Sequence, residues 1–241
     1  MKIATFFGFV CHLWATSFAV TAQTNGSVGI GTTTPQPAAV LDITSTSKGL
    51  LLPRLDEAQM RTMPNAVPGL LVFNTSANHF YGYRNATGVS TIAQTVTTSD
   101  VASNIQIGQS FTAPDNSILT SVAAYVSSST NVSSQSDVVL RIYAGRGTGG
   151  ALLGTATQYA ILPPYTATPL MLDFNVLAQG ISLVYGQEYT FTMQRNPISV
   201  LRFQVAGNLY PNGNFVPANV GNYDLQFQVF ITKTGEWVPL D

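Results

Sequence analysis

Residues 138–143 read VVLRIY, and residues 225–231 read LQFQVFI. In both stretches every second residue is apolar, and in an extended chain every second side chain points to the same face. The same alternation recurs in LMLDFNV at 170–176 and in YTFTM at 189–193. This period predicts strands with one face toward a core and one toward solvent. The side chains predicted to point inward are Val138, Leu140, Ile142, Leu170, Leu172, Phe174, Val176, Tyr189, Phe191, Met193, Leu225, Phe227, Val229 and Ile231.

The remainder of residues 92–241 follows the same organisation. Turn residues separate the runs, and no helical period lies between them. Eight or more short strands at this spacing predict an all-β domain, a jelly roll or β-sandwich. The Ser-rich interval 125–137 is expected to be a mobile loop. Further strands are predicted at 109–112, 118–126, 151–156, 181–184 and 201–205.

The first 22 residues, MKIATFFGFVCHLWATSFAVTA, have the pattern of a secretory signal peptide. One positive charge at Lys2 precedes an apolar run, and Val20 and Ala22 supply the small residues expected before cleavage near Ala22/Gln23. The sequence therefore predicts a secreted or cell-surface protein. The single cysteine of the chain, Cys11, lies in this segment, so no disulfide is expected after cleavage.

The composition excludes several classes of partner. The formal net charge is -1 and charged residues make up 9% of the chain. Nucleic-acid binding requires a basic patch to neutralise phosphates, and no such patch is present. No segment after the signal peptide is long and apolar enough to predict a transmembrane span.

Residues 23–91 predict a small, mostly irregular unit with one helix and one β-hairpin. The helix is expected at 56–63, where Asp56 and Gln59 have the spacing of a capping box and Pro64 ends the helix. The hairpin is expected from GLLVF at 69–73 and HFYGY at 79–83. Such a short segment has too little periodic apolar content for a core of its own. The unit is therefore expected to pack on the second domain or on copies of itself, and the second possibility predicts a homo-oligomer.

Part of this unit resembles a known family. The stretch VGIGTTTPQPAAVLDITSTSKGLLLPRL and the later GLLVFNTSANHFYGY, between Val28 and Tyr83, are similar to segments of exported proteins of Bacteroidetes-type bacteria and to collar-like parts of phage tail fibres. The resemblance implies a fibrous, often trimeric protein. Related segments often end in a tryptophan after the hairpin, whereas here residues 84–90 lead directly into the second domain.

A second resemblance concerns the predicted sandwich. QSFTAP at 109–114, LRIYAGRGTGGALLGT at 140–155, YGQEYTF at 185–191 and DLQF at 224–227 are similar to jelly-roll modules of bacterial secreted and surface proteins. Some relatives with that architecture bind carbohydrate. The resemblance implies the fold more firmly than an activity.

The sequence gives no pattern for catalysis, so the chain is not expected to be an enzyme. No G-x-S-x-G elbow occurs, and His79 is the one histidine after the signal peptide. The glycines at 145–150 lack the Gly-Lys-Ser/Thr ending of a phosphate loop and predict a hairpin turn. A secreted glycan hydrolase would need two carboxylates that act together. Five acidic residues are available, but nothing in the sequence indicates that any two of them lie close together. These acids are Asp137, Asp173, Glu188, Asp224 and Glu236.

Oxygen ligands are the only metal ligands that the chain offers in number. A Ca²⁺ site made from Asp115, Asp137 or Asp224 with loop carbonyls is one hypothesis, although the D-x-D-x-D spacing is missing. No other cofactor is expected.

Two loops place aromatic residues beside amides, at 208–215 and 219–223. Sugars stack on aromatic rings and bond to amide groups, so Tyr210, Asn212, Asn214 and Tyr223 are the predicted ligand-binding residues for a glycan or surface polymer. The alternative is that Tyr210 and Phe215 close the end of the sandwich while the asparagines serve turns.

Three functions remain open from the sequence. The first is an exported, non-catalytic, adhesin-like binding module with a carbohydrate as its ligand. The second is a structural subunit of an oligomeric fibre or surface assembly. The third is a secreted glycan hydrolase.

Overall fold

The computed structural model describes residues 26–86, 88–217 and 223–240. The chain divides after Leu51 into two units. The predicted signal peptide, residues 1–22 with Cys11, lies outside the described residues, as does most of the predicted loop 219–223.

The first unit contains a short parallel ribbon. Strands β1 (Val28–Ile30) and β2 (Leu41–Ile43) pair in parallel. Gly31 ends β1 with φ of 78°, and a Cβ there would lie 2.1 Å from the carbonyl oxygen of Thr44. Only glycine fits this turn.

The second unit begins with the predicted helix and hairpin. Helix α1 spans Glu57–Arg61, shorter than the predicted 56–63, and Asp56 and Gln59 form the predicted capping box. The hairpin strands are β4 (Leu71–Asn74) and β5 (His79–Arg84). With β3 (Arg54–Leu55) and the C-terminal β19 (Glu236–Pro239), they form a four-stranded sheet within the described residues.

The remaining strands build a sandwich. In the described part of the chain they form a five-stranded sheet, in the order β11-β10-β14-β8-β16, and an eight-stranded sheet whose path β17-β15-β9-β18-β6 is flanked by β7, β12 and β13. Their pairings are antiparallel. The strands are β6 (Val89–Gln94), β7 (Ser99–Ser103), β8 (Ile107–Thr112), β9 (Ser117–Ser128), β10 (Ser134–Ala144), β11 (Leu152–Leu162), β12 (Leu170–Asn175), β13 (Ser182–Leu183), β14 (Glu188–Asn196), β15 (Leu201–Gly207), β16 (Phe215–Val216), β17 (Tyr223–Leu225) and β18 (Phe227–Lys233), and a 3₁₀ turn spans Leu177–Gln179.

Both sheets bury side chains in one core. The predicted inward residues of β10, β14 and β18 are buried, and of the β12 set Leu170 is the one that stays half-buried. Phe191 from one sheet packs against Phe227 from the other, with ring centroids 5.5 Å apart. The predicted all-β fold with one short helix is confirmed, and its architecture is a β-sandwich.

The outer face of β14 differs from the prediction. The alternation predicts a solvent face for the residues between Tyr189, Phe191 and Met193, but Thr190 and Thr192 are buried. The Thr190 hydroxyl donates to the Gly145 carbonyl and accepts from the Gly147 amide, both at 2.8 Å. The glycine-rich turn after β10, predicted as a hairpin connection and observed as one, therefore also covers part of this face.

The prediction of a mobile loop at 125–137 is wrong. Residues 125–128 continue β9 and residues 134–137 begin β10, so the connection is limited to residues 129–133. Ser128 pairs with Leu201 of β15 and is buried. A serine-rich stretch can extend a strand when neighbouring strands satisfy its backbone, which composition does not reveal.

The domain ranges 1–22, 23–91 and 92–241 stay a prediction. Strand β6 lies across the boundary expected between residues 91 and 92, and β19 from the C-terminus pairs with hairpin strand β5. None of the helices in the described residues has the length and apolarity of a membrane span.

Candidate functional site

An apolar face in the first unit is the strongest candidate for a functional surface. The pairing of β1 with β2 aligns Val28 with Leu41 and Ile30 with Ile43, so four apolar side chains share one face of the ribbon. Their exposed fractions are 56%, 51%, 54% and 37%, in that order. The other face carries Asp42, whose carboxylate accepts a hydrogen bond from the Gln36 amide at 2.9 Å.

This face was not singled out from the sequence. The signal was available, because Val28 and Ile30, like Leu41 and Ile43, are two residues apart and therefore share a face when extended. A two-stranded ribbon is at best marginally stable in water. An exposed apolar face on such a ribbon therefore indicates a surface that packs against another part of the protein or against a second chain.

The hairpin of the second unit also exposes apolar side chains. Leu71 and Phe80 are exposed, and the Phe80 ring packs edge to face on Phe73 with centroids 5.1 Å apart. The Arg54 guanidinium lies over the Phe73 ring at 5.0 Å. These aromatic contacts fix the hairpin strands while leaving Phe80 open.

The predicted glycan-binding residues have different surroundings. Tyr210 is 8% exposed and packs edge to face on Phe227 at 5.3 Å, as part of the sandwich core. Tyr223 is half-buried and packs edge to face on Phe215 at 6.1 Å. A buried ring offers no face for sugar stacking. The position of Tyr210 therefore fits the alternative role given above, in which the ring closes the end of the sandwich.

The two predicted asparagines are exposed and serve the chain through their backbones. The Asn212 carbonyl accepts from the Thr112 hydroxyl at 2.9 Å. The backbone of Asn214 bonds to Ser110, its amide donating to the hydroxyl at 2.7 Å and its carbonyl accepting from the amide at 2.8 Å. These bonds attach the loop to strand β8.

Asp224 anchors the same loop from the inside. Its carboxylate is fully buried and accepts three hydrogen bonds: Oδ1 from Gln109 Nε2 at 2.8 Å, and Oδ2 from the amides of Leu209 and Tyr210 at 2.6 Å each. Gln109 in turn accepts from the Leu225 amide at 3.1 Å. A buried charge is tolerated when N–H donors satisfy it in this way.

The structure does not bring the three predicted Ca²⁺ ligands together. Among the described residues, no group of three or more His, Cys, Asp or Glu side chains is placed to hold a metal. Asp115 instead lies 3.0 Å from Lys233 Nζ and 3.5 Å from Arg61 Nη1. Asp137 is half-buried in β10 opposite Asn196, and Asp224 holds its three N–H donors.

Two adjoining cavities of about 170 and 390 Å³ lie where the helix, the hairpin and the C-terminal segment meet the sandwich. Both are lined by Tyr83 and Asn116. Asn116 donates through Nδ2 to the Arg61 carbonyl at 3.0 Å and accepts from the Tyr185 amide at 2.9 Å. The smaller cavity also has Trp237, which packs edge to face on Tyr83 at 5.1 Å.

Charged groups around the smaller cavity neutralise one another. Burial lowers the pKa of Arg61, but the hydrogen bond and charge of Glu57, together with Tyr185 and Asp115, outweigh this effect and raise it. Asp115 also faces Lys233. The cluster connects the helix, the loop before β9, the turn at Tyr185 and the end of β18. Its positive and negative charges balance, so it has no excess charge that would select an ionic ligand.

Part of the chain matches a known family. Residues 29–104 match the family model described as phage tail like trimerisation region. The match begins in β1 and includes β2, the helix, the hairpin, β6 and β7. It agrees with the tail-fibre resemblance found from the sequence and covers a little under a third of the chain.

The other comparisons are distant. No curated protein matches this chain. Among solved structures, the chain is similar to one from the structure of infectious bursal disease virus Gx strain, with 10% identity and a TM-score of 0.25. That match covers 64% of this chain and 33% of the viral chain, so this chain spans about a third of the matched protein.

The position of Tyr210 predicts a pH dependence of stability. Burial raises the pKa of its hydroxyl to about 12, the Asp224 charge acts in the same direction, and a backbone hydrogen bond at Thr112 opposes them. As pH rises from about 10 to about 12, the unfolded chain loses this proton while the folded chain keeps it, so stability falls. We expect a loss of up to about 2.5 kcal/mol in wild type that Tyr210→Phe does not show. Urea titrations at pH 9 and 12 measure it, and equal losses in both proteins would contradict the assignment.

Proposed function

We propose that this protein is an exported structural subunit of a fibre-like or surface assembly, in which residues 29–104 hold three copies together. The observation that carries the proposal is the match of this region to a phage tail like trimerisation region. Export is part of the proposal because of the predicted signal peptide, residues 1–22.

The apolar face of the ribbon supports self-association. Removing the exposed apolar area of this face from water stabilises the association of copies. The four side chains concerned are Val28, Ile30, Leu41 and Ile43. Three copies around an axis would place identical apolar faces together, and the face carries no charge that would repel its own copies. Asp42 lies on the opposite face of the ribbon, where it can stay hydrated.

The proposal predicts a trimer in solution. Light scattering coupled to size exclusion should give three times the mass of one chain at micromolar concentration. Ile30→Asp and Leu41→Asp put a charge on the apolar face and should lower the trimer fraction at least about tenfold, since burying an unpaired carboxylate costs several kcal/mol.

Val132→Asp is the matched control. Val132 is exposed, lies outside residues 29–104, and its carbonyl accepts a hydrogen bond from the Thr130 hydroxyl, which the substitution leaves in place. This variant should stay trimeric. A monomeric wild type, or variants as trimeric as the control, would overturn the proposal.

A glycan-binding role stays a second prediction. Among the residues proposed for it, Asn212 and Asn214 are exposed, whereas the Tyr210 ring belongs to the core. The assembly subunit could also bind a surface polymer. In that case residues other than Tyr210 would contact the polymer.

A further inference from the structure

Strand β11 forms an unprotected edge of the five-stranded sheet. It is 11 residues long and lies at the end of the strand order, next to β10. In the part of the chain that the structure describes, no strand pairs with its outer side. An open edge presents N–H and C=O groups that pair readily with another strand.

The devices that usually block strand addition are missing from residues 157–161 of this edge, because the bulge in its pairing with β10 lies at Leu153, outside this stretch. The sequence of β11, LLGTATQYAIL, contains no charged residue and no proline. Tyr159 and Ile161 are each 60% exposed and are strong β-formers. Strand β6, at the edge of the other sheet, is about half as long and lies inside the matched region 29–104.

One side chain defines which part of the edge is open. Gln179 accepts from the Thr155 amide at 3.2 Å and donates to the Thr155 carbonyl at 3.1 Å, so it occupies the edge groups of that residue. In an antiparallel ladder the backbone groups of every second residue point to the same side. The backbone groups of Thr157, Tyr159 and Ile161 therefore point to the same open edge.

We propose that a second copy of this chain pairs its β11 with this edge, antiparallel and centred on Tyr159. In that register Tyr159 lies opposite its own copy and Thr157 lies opposite Ile161. In this symmetric pairing only Tyr159 lies opposite its own copy, so a charge at that position would repel its like. The neutral strand avoids this, and it gains an aromatic pair and β-branched pairs across the edge.

This contact goes beyond the proposed trimer because β11 lies outside residues 29–104. It would join one trimer to another. The two associations can be distinguished experimentally, since loss of trimerisation alone would leave a dimer held by β11.

Cysteine cross-linking tests the register. In a Cys11→Ser background, Tyr159→Cys should be joined to its own copy by a short bismaleimide, because directly opposed residues have Cα atoms about 5.5 Å apart. Thr155→Cys is the matched control on the same face of the strand, where Gln179 occupies the edge, and it should cross-link at least about tenfold less. Equal cross-linking at both positions, or none at Tyr159→Cys, would overturn the proposal.

Sedimentation velocity tests the association itself. Wild type should show a concentration-dependent species of twice the mass of the base oligomer, whether that base is a trimer or a monomer. Tyr159→Lys places two like charges opposite each other and should weaken this step about tenfold while leaving the base oligomer intact. Met171→Lys, exposed on neighbouring β12, is the control and should behave as wild type. An unchanged association in Tyr159→Lys, or a wild type without the doubled species, would refute the contact.

Discussion

Replacement of Asp224 by alanine is expected to lower the free energy of unfolding by about 3–5 kcal/mol. The substitution removes the acceptor of three N–H groups, from Gln109, Leu209 and Tyr210, at a site closed to water. Each unsatisfied buried donor costs about 1–3 kcal/mol, and the carboxylate leaves a cavity that the surrounding sheet cannot easily close. Urea denaturation at fixed protein concentration measures the loss as a lower midpoint.

Asp224→Asn separates charge from shape. The asparagine carbonyl can still accept from the Leu209 and Tyr210 amides, but its amide group then faces the Gln109 amide group. Rotating Gln109 would relieve this contact only by leaving the Leu225 amide without its acceptor. We expect a cost of about 1–3 kcal/mol, between wild type and Asp224→Ala.

Asp173→Asn is the control for these variants. Asp173 is an exposed residue of β12, so its substitution should change stability by no more than about 0.5 kcal/mol. If Asp224→Ala were as mild as this control, the three hydrogen bonds would contribute nothing to the fold.

The environment of Asp224 shows a limit of reading the sequence alone. An aspartate near a loop rich in Tyr and Asn fits a Ca²⁺ ligand, a glycan contact or a loop anchor equally well. The choice depends on whether strand β8 places Gln109 beside it, a contact between residues more than 100 positions apart. Spacing along the chain carries no information on such a pair.

The strands themselves could be predicted from the sequence because the alternation of apolar and polar residues is a local signal. The runs containing Leu140, Phe191 and Phe227 predicted buried faces, and those residues are buried. The same rule failed for Thr190, whose outward face is covered by a loop from another strand. Periodicity gives the two faces of a strand but not what lies beyond each face.

The helix was predicted for the same reason. Asp56 and Gln59 bond to each other's backbone amides within three residues, so their types and spacing are sufficient. The apolar face of the ribbon is only partly a local signal: Val28 and Ile30 alternate within one run, but their pairing with Leu41 and Ile43 joins two separate runs. In the proposed trimer that face is covered by other copies of the chain, which a single sequence does not display.

Gly108→Ala is expected to cost about 3 kcal/mol or more. Gly108 lies in β8, between Thr192 of β14 and Val216 of β16. A Cβ at this position would lie 1.8 Å from the Phe191 carbonyl oxygen and 2.8 Å from the Thr192 Cα. Both contacts are to backbone, so a rotamer change cannot relieve them and the two strands must separate.

Gly207→Ala supplies the matched control, because Gly207 also lies in a strand, but a Cβ there meets nothing within 4 Å and its φ is not in the left-handed region. That variant should be neutral or more stable by up to about 1 kcal/mol, since alanine restricts the unfolded chain. Thermal and urea unfolding of the two variants should therefore shift in opposite directions or by clearly different amounts. Equal stability would mean that β8 and β14 are further apart than this geometry requires. Because the adjacent Gln109 holds Asp224, a displaced β8 would also loosen the 208–210 loop, which hydrogen exchange at the Leu209 and Tyr210 amides would report.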